Sequence, residues 1–216
     1  MSLTHNIASI RQNYTKKDLL ESSVAAHPMD QFSQWLDEAI QGEATEATAL
    51  VLSTVSAAGK PSARVVLLKG VSKTGFTFFT NYNSRKGQEL AENPNAAITF
   101  FWPALERQVR IEGKVVKVDP QISDDYFHSR PQGSQIGAWA SPQSQPIASR
   151  EALEEADKAY TDKFTAAAEI PRPAFWGGYQ LQPARIEFWQ GRPNRLHDRI
   201  VYELQEDNWK ISRLAP

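Results

Sequence analysis

Apolar positions change period several times along the chain, and each change marks an element. After Pro28, the residues Phe32, Trp35, Leu36, Ala39 and Ile40 recur at helical spacing, which predicts an amphipathic helix with Asp30 as its N-cap. From residue 49 the pattern becomes that of strands. Ala49–Ser56 is an apolar run, residues 57–60 form a turn, and Ser62–Gly70 reads as a second strand. After Lys73-Thr74-Gly75, Phe76–Thr80 makes a third, so that the three predict a meander of antiparallel hairpins. Arg85–Glu92 reads as a short helix stopped by Asn93-Pro94. Strands are expected over Ala96–Trp102 and Gln108–Val118, where Val109, Ile111 and Val115 alternate with Gln108, Arg110, Glu112 and Lys114. Asp119-Pro120 opens a helix to about Ser129, and a Gly-, Pro-, Ser- and Gln-rich loop covers 131–148. Glu151–Ala168 predicts a helix with Leu153, Ala156, Tyr160 and Phe164 on one face. Strands Tyr179–Gln190, Ile200–Leu204 and Trp209–Leu214 close the chain. Residues 1–28 are polar and weakly periodic and read as a mobile arm before a single domain over 29–216.

Roughly six or seven strands, few helices and short hairpin loops predict an α+β fold with an antiparallel barrel and helices packed outside it. A doubly wound sheet would need strands and helices to alternate regularly, and they do not. At 216 residues and 41% hydrophobic composition the chain suffices for one packed domain. Its 24 basic and 25 acidic residues nearly cancel, so no global field attracts nucleic acid or an anionic membrane. Any bound anion must be held by a local cluster of cations. No cysteine is present, which excludes disulfides, thiolate nucleophiles and Cys-ligated metal, and the four scattered histidines argue against a His-built metal site. There is no apolar leader and the apolar runs are strand-sized, so a reducing cytoplasmic compartment is expected. Phosphate-binding loops, dinucleotide fingerprints and nucleophile elbows are absent from the sequence, and Gly177-Gly178 reads as a turn before a strand.

Four segments concentrate candidate chemistry. Arg85 and Lys86 fall in the first turn of a predicted helix, where the dipole disfavours cations; either a phosphate sits there or they form a solvated surface pair. Arg64 and Lys69 bracket four apolar residues, and strict alternation would put them on opposite faces. They serve one ligand only if it wraps the strand or Lys69 lies past the strand end; otherwise they snorkel. Tyr126 and Arg130 share a helix face, and with Ser134 they would cradle a phosphate monoester; a cation complementing a helix C-terminus is the other reading. In Arg195-Leu196-His197-Asp198-Arg199, an extended backbone would align Arg195, His197 and Arg199 on one side, favouring neutral histidine and an anionic or electron-rich ligand. Trp189 would either stack on a flat ring or fill the core.

These runs, in this order, resemble the pyridoxine (pyridoxamine) 5′-phosphate oxidase family. They are Arg11-x-x-Tyr14, residues 64–69, 81–86, 101–113, Ser129-Arg130-Pro131, Gly137-Ala-Trp-Ala-Ser141, Glu187-Phe-Trp-Gln-Gly191, Arg195-Leu-His-Asp-Arg199 and the terminal run 209–216. The resemblance implies a split β-barrel homodimer with FMN where the subunits meet, each site being built by both chains. FMN would be bound by Arg64, Val65, Val66, Leu67, Leu68 and Lys69, by Phe79, Thr80, Arg85 and Lys86, and by Gln108, Gln143, Ser144, Trp189 and Arg199. The substrate phosphate would fall to Lys69, Tyr126, Arg130 and Ser134, and the pyridine ring to Arg195, Leu196 and His197. Arg195 and His197 are the implied catalytic pair, and Arg11 and Tyr14 match a lid over the site. The implied reaction oxidises pyridoxine 5′-phosphate or pyridoxamine 5′-phosphate to pyridoxal 5′-phosphate and reduces O2 to hydrogen peroxide. A split-barrel flavin reductase using NAD(P)H, or a non-catalytic carrier of FMN or pyridoxal phosphate, are the alternatives.

Overall fold

The computed structural model describes residues 13–42 and 44–216. Arg11 therefore lies outside the described residues, whereas residues 13–28 of the polar stretch read as an arm, Tyr14 among them, lie within them. Among the described residues are nine strands: β1 (Ala49–Val55), β2 (Pro61–Leu67), β3 (Gly70–Ser72), β4 (Gly75–Asn81), β5 (Asn95–Trp102), β6 (Arg107–Lys117), β7 (Trp176–Gln190), β8 (Asp198–Gln205) and β9 (Asn208–Arg213). Five α-helices accompany them: α1 (Pro28–Gln41), α2 (Arg85–Glu92), α3 (Pro120–Ser129), α4 (Gln132–Ala140) and α5 (Arg150–Phe164). The strands belong to one sheet with the hydrogen-bonded order β2-β1-β5-β6-β7-β4-β3, β8 pairing with β7 and β9 with β8. The chain groups into two compact units. One gathers the described part of residues 1–47 with Phe100–Arg110 and Arg185–Pro216; the other gathers Thr48–Thr99 with Ile111–Ala184.

In the first unit α1 lays Phe32, Trp35 and Ala39 into the core. Phe32 meets Phe100 at 5.0 Å between ring centroids, and Trp35 meets Phe188 edge-on at 5.2 Å. Leu36 is half-buried and Ile40 is 54% exposed, so the apolar stripe is narrower than its spacing implied. His27, not Asp30, caps this helix: its ring nitrogen accepts from the Met29 N–H, and Asp30 takes a first-turn position where the dipole favours it. Arg107 is buried with its guanidinium 4.2 Å from the Trp35 ring centroid and 2.9 Å from a Glu38 carboxylate oxygen. β8 and β9 form a hairpin in which Ile200 faces Arg213 and Gln205 faces Asn208.

In the second unit β1 pairs with β2 in an antiparallel hairpin from Ala49↔Leu67 to Val55↔Pro61, and β3 pairs with β4. The expected three-strand meander is not what forms. The predicted strand 62–70 breaks after Leu67, where the Leu68 N–H donates to Thr48 O and the Lys69 N–H donates to Thr77 O. The chain thus steps within two residues from the β1 side to the β4 side, and β2 and β3 become opposite ends of the seven-strand path. Leu50, Leu52, Phe76, Phe78, Ile98 and Leu181 are buried. Residues 131–148 are not all loop, because Pro131 starts α4, whose Ile136 and Ala140 find apolar cover. Gly177-Gly178 is not a turn but part of β7: a Cβ on Gly177 would lie 2.2 Å from the Tyr82 hydroxyl, and one on Gly178 2.8 Å from Phe79 Cε1. α5 ends at Phe164, its one fully buried residue; Leu153, Ala156 and Tyr160 are half-buried. No helix among the described residues is long and apolar enough to cross a membrane.

Candidate functional site

A cavity of about 320 Å³ lies in the second unit against the exposed face of β2. β2 supplies four consecutive lining residues, Arg64, Val65, Val66 and Leu67, so the cavity takes atoms from both faces of the strand, and Lys69 joins them past its end. Leu68 points instead into the core, 4% exposed. β4 contributes Phe79 and Thr80, α2 Lys86, α3 Tyr126, the α3–α4 junction Arg130, the segment after α4 Gln143, and β7 Trp176. Four cations and no carboxylate line this space. Ser134 lines an adjoining cavity together with Arg130 and Gln143.

The cations are held in different ways. Lys86 is 8% exposed; its ammonium donates to Gln143 Oε1 at 2.9 Å, Thr80 Oγ1 at 3.2 Å and Ser84 Oγ at 3.3 Å. Burial, helped by the nearby Arg64 charge, brings its pKa down from 10.5 to about 8. Arg64 donates to Leu52 O and Thr54 Oγ1 through Nη1, and to Ser62 Oγ and the Glu89 carboxylate through Nη2. Glu89 is buried. Burial alone would raise its pKa, but hydrogen bonds from Ser62, Thr54 and Arg85 outweigh that and hold it at about 2. Arg85 does not line the cavity: its Nε donates to Glu89 at 2.9 Å one turn on, which explains a cation in the first turn of α2 without any ligand.

Arg130 carries the clearest sign of a missing partner. Its guanidinium lies 4.7 Å from the Trp176 ring centroid, and its buried Nη1 has no hydrogen-bond partner among the described residues. A buried donor of this kind costs about 1–3 kcal/mol unless something accepts from it. Trp176, Phe79 and Tyr126 stack nearly parallel, with Phe79 and Tyr126 at 4.0 Å and 22°. The cavity therefore offers flat apolar walls beside unspent positive charge. That suits a planar ring bearing an anionic group, and the donor set fits FMN.

The remaining predicted residues fall elsewhere. Gln108 is half-buried on β6, and Ser144 is exposed after α4 with a positive φ of 69°. A second cluster stands in the first unit, where the His197 ring lies 4.7 Å from Trp189 and Tyr14 meets both rings edge-on at 5.8 and 5.9 Å. The segment before β8 is not extended. Asn194 and Arg195 have φ of 57° and 62° in a tight turn, so Arg195, His197 and Arg199 are not aligned by strand alternation. Arg195 and Leu196 are exposed. His197 Nδ1 accepts from the Arg192 N–H at 3.1 Å, and burial together with the Arg195 charge lowers its pKa below 6.5. Asp198 bonds to Arg213 and to the Leu19 N–H, and Arg199 is held by both oxygens of Glu187 at 3.0 Å each. Trp176 and Glu89 went unnoticed in the sequence. The i, i+4 spacing of Arg85 and Glu89 was the available signal for the second, and nothing local marked the first.

Residues 36–160 match the family model described as pyridoxamine 5′-phosphate oxidase, and residues 176–216 match the pyridoxine 5′-phosphate oxidase C-terminal dimerisation region. A pyridoxine/pyridoxamine 5′-phosphate oxidase from Polynucleobacter asymbioticus is 56% identical over 98% of this chain and 99% of its own length. Another from Bordetella pertussis is 53% identical over 98% of this chain and 100% of its own. Among solved structures, PhzG from Burkholderia lata, in complex with tetrahydrophenazine-1-carboxylic acid, superposes with a TM-score of 0.87 at 30% identity, covering 94% of this chain and 100% of that one. A pyridoxamine 5′-phosphate oxidase-related, FMN binding protein from Nostoc punctiforme shares the fold, with a TM-score of 0.68 at 17% identity over 86% of this chain and 97% of its own. The fold is accordingly α+β with an antiparallel split-barrel sheet. Full-length identity above one half, on that fold and with that cation-lined cavity, places the chain in the pyridoxamine 5′-phosphate oxidase family.

Proposed function

We propose that the protein oxidises pyridoxine 5′-phosphate and pyridoxamine 5′-phosphate to pyridoxal 5′-phosphate with FMN as cofactor and O2 as terminal acceptor, as a homodimer in which both chains build each site. The observation that carries this reading is the cavity with four cations, no carboxylate and a stacked aromatic wall, in a chain whose full-length relatives bear the oxidase name. The alcohol loses two hydrogens to give the aldehyde while O2 becomes hydrogen peroxide. The amine does the same, takes up one water and releases ammonia. When bound, FMN would supply the two-electron acceptor.

The chain's own residues bind, orient and exclude water. Arg64, Lys86, Thr80 and Gln143 form the polar end that would hold the cofactor phosphate, with Val65, Val66 and Leu67 lying along its ring. Lys69, Tyr126, Arg130 and Ser134 would grip the substrate phosphate, with Arg130 Nη1 gaining the acceptor it lacks. Holding two rings by two phosphates makes the transfer effectively unimolecular, an advantage of several kcal/mol. His197, kept neutral by burial and Arg195, is suited to receive a proton at C4′, and Arg195 to orient the ring. Oxygen uptake with pyridoxine 5′-phosphate, without a nicotinamide donor, tests the reading. Stoichiometric peroxide and a dimer by light scattering are expected; FMN-loaded protein that consumes no oxygen would refute the activity.

A further inference from the structure

The described N-terminal segment has few regular hydrogen bonds of its own, yet one ring of it, Tyr14, is seated against His197 and Trp189. Something must hold it there. Glu106 stands at the end of a short 3-10 turn after β5 with φ 56°, 8% exposed. Its Oε2 accepts from two successive backbone amides, Thr15 N–H at 2.9 Å and Lys16 N–H at 3.0 Å, so a single carboxylate oxygen clamps the peptide that follows Tyr14. The backbone of the same residue is tied to the other side of the cluster, because Glu106 O accepts from the Gly191 N–H at 2.8 Å. Gly191 in turn has no room for a side chain: a Cβ there would lie 2.7 Å from the Tyr14 ring.

We propose that Glu106 is a positioning residue, latching the Tyr14 segment so that the tyrosine ring stays against His197. The inference rests on the reading of His197 as a substrate-side residue, but the latch itself is independent of any ligand. Two amides on one anionic oxygen form charge-assisted hydrogen bonds, the stronger kind. The neutral amide of Glu106→Gln keeps the shape of the side chain and removes the charge, and Glu106→Ala removes the acceptor.

The test has two arms on the full-length protein. Limited trypsin digestion of the ligand-free protein reads cleavage after Lys16 and Lys17. The expected result is faster cleavage there, about threefold for Glu106→Gln and about tenfold for Glu106→Ala, with cleavage elsewhere unchanged. Steady-state kinetics of the FMN-loaded protein is expected to show KM for pyridoxine 5′-phosphate raised about five- to tenfold with kcat changed less, a split that general destabilisation does not produce. Should Glu106→Ala fail to fold, Glu106→Gln alone carries both arms. Unchanged cleavage overturns the proposal, and so does faster cleavage with unchanged KM, since the latch would then not reach the substrate. If the wild type proves inactive with pyridoxine 5′-phosphate, the functional reading fails on its own, while faster cleavage of the variants still supports Glu106 as the anchor of the segment.

Discussion

Lys86 gives a prediction that binds two measurements together. Its ammonium is buried among Gln143, Thr80 and Ser84, none of them charged, and its pKa is brought down from 10.5 to about 8. In the ligand-free protein this cation is a liability. At 1.36 kcal/mol per pH unit the shift sets a ceiling of about 3 kcal/mol, which water at the cavity mouth reduces to roughly 1–2 kcal/mol. The folded pKa lies below the unfolded one, so between about pH 8 and 10.5 the unfolded chain holds more protons and stability rises with pH. Lys86→Met removes that dependence. Chemical denaturation of apo-protein at pH 7 should therefore find Lys86→Met more stable than wild type by about 1 kcal/mol, the gap closing as pH approaches 10.5. The same substitution should weaken FMN binding 30- to 100-fold by flavin-fluorescence titration, the equivalent of a lost charge-assisted bond of about 2–3 kcal/mol. Gained apo stability with unchanged FMN affinity would refute the assignment of Lys86 to the cofactor phosphate.

Other outcomes follow from the same geometry. Trp176→Leu should raise KM for pyridoxine 5′-phosphate about fivefold, because Arg130 loses a ring at 4.7 Å worth roughly 1 kcal/mol; an unchanged KM refutes the support role. For Arg195→Ala, FMN should be retained while most turnover is lost, and the acid limb of kcat/KM against pH should move upward, since the Arg195 charge helps hold the His197 pKa down. A limb that stays put or moves down would contradict that coupling. Glu89, held at about 2 against an ordinary 4.5, contributes stability above pH 4.5 that is lost as pH falls through that window. Glu89→Gln should therefore flatten the acid side of the stability profile and weaken FMN binding by loosening Arg64.

Most elements were legible because their period was clean. α2 falls on Arg85–Glu92 as the stop at Asn93-Pro94 implies, and the buried Val109, Ile111 and Val115 of β6 follow strict alternation. What failed was non-local. The break at Leu67 is invisible in an unbroken apolar run, because it is imposed by acceptors at Thr48, just before β1, and at Thr77 in β4. The glycine pair in β7 looked like a turn because its reason, Tyr82 and Phe79 pressing on the backbone, comes from another part of the chain. Within the site, cation clusters were visible as charge, but which cation is spent on a protein carboxylate was not. Arg85 and Arg64 share Glu89, whereas Arg130 is left with a donor to spare.

The two-residue step at Leu68-Lys69 acts as a spacer of fixed length. One backbone amide is spent on each neighbouring hairpin, so no slack remains between them. Adding or deleting a residue there would exchange the inward and outward sides of the connector, drawing Lys69 inside and turning Leu68 toward solvent. The loop at 57–60 closes a hairpin whose register is set by its paired strands, but at this joint the geometry fixes length itself.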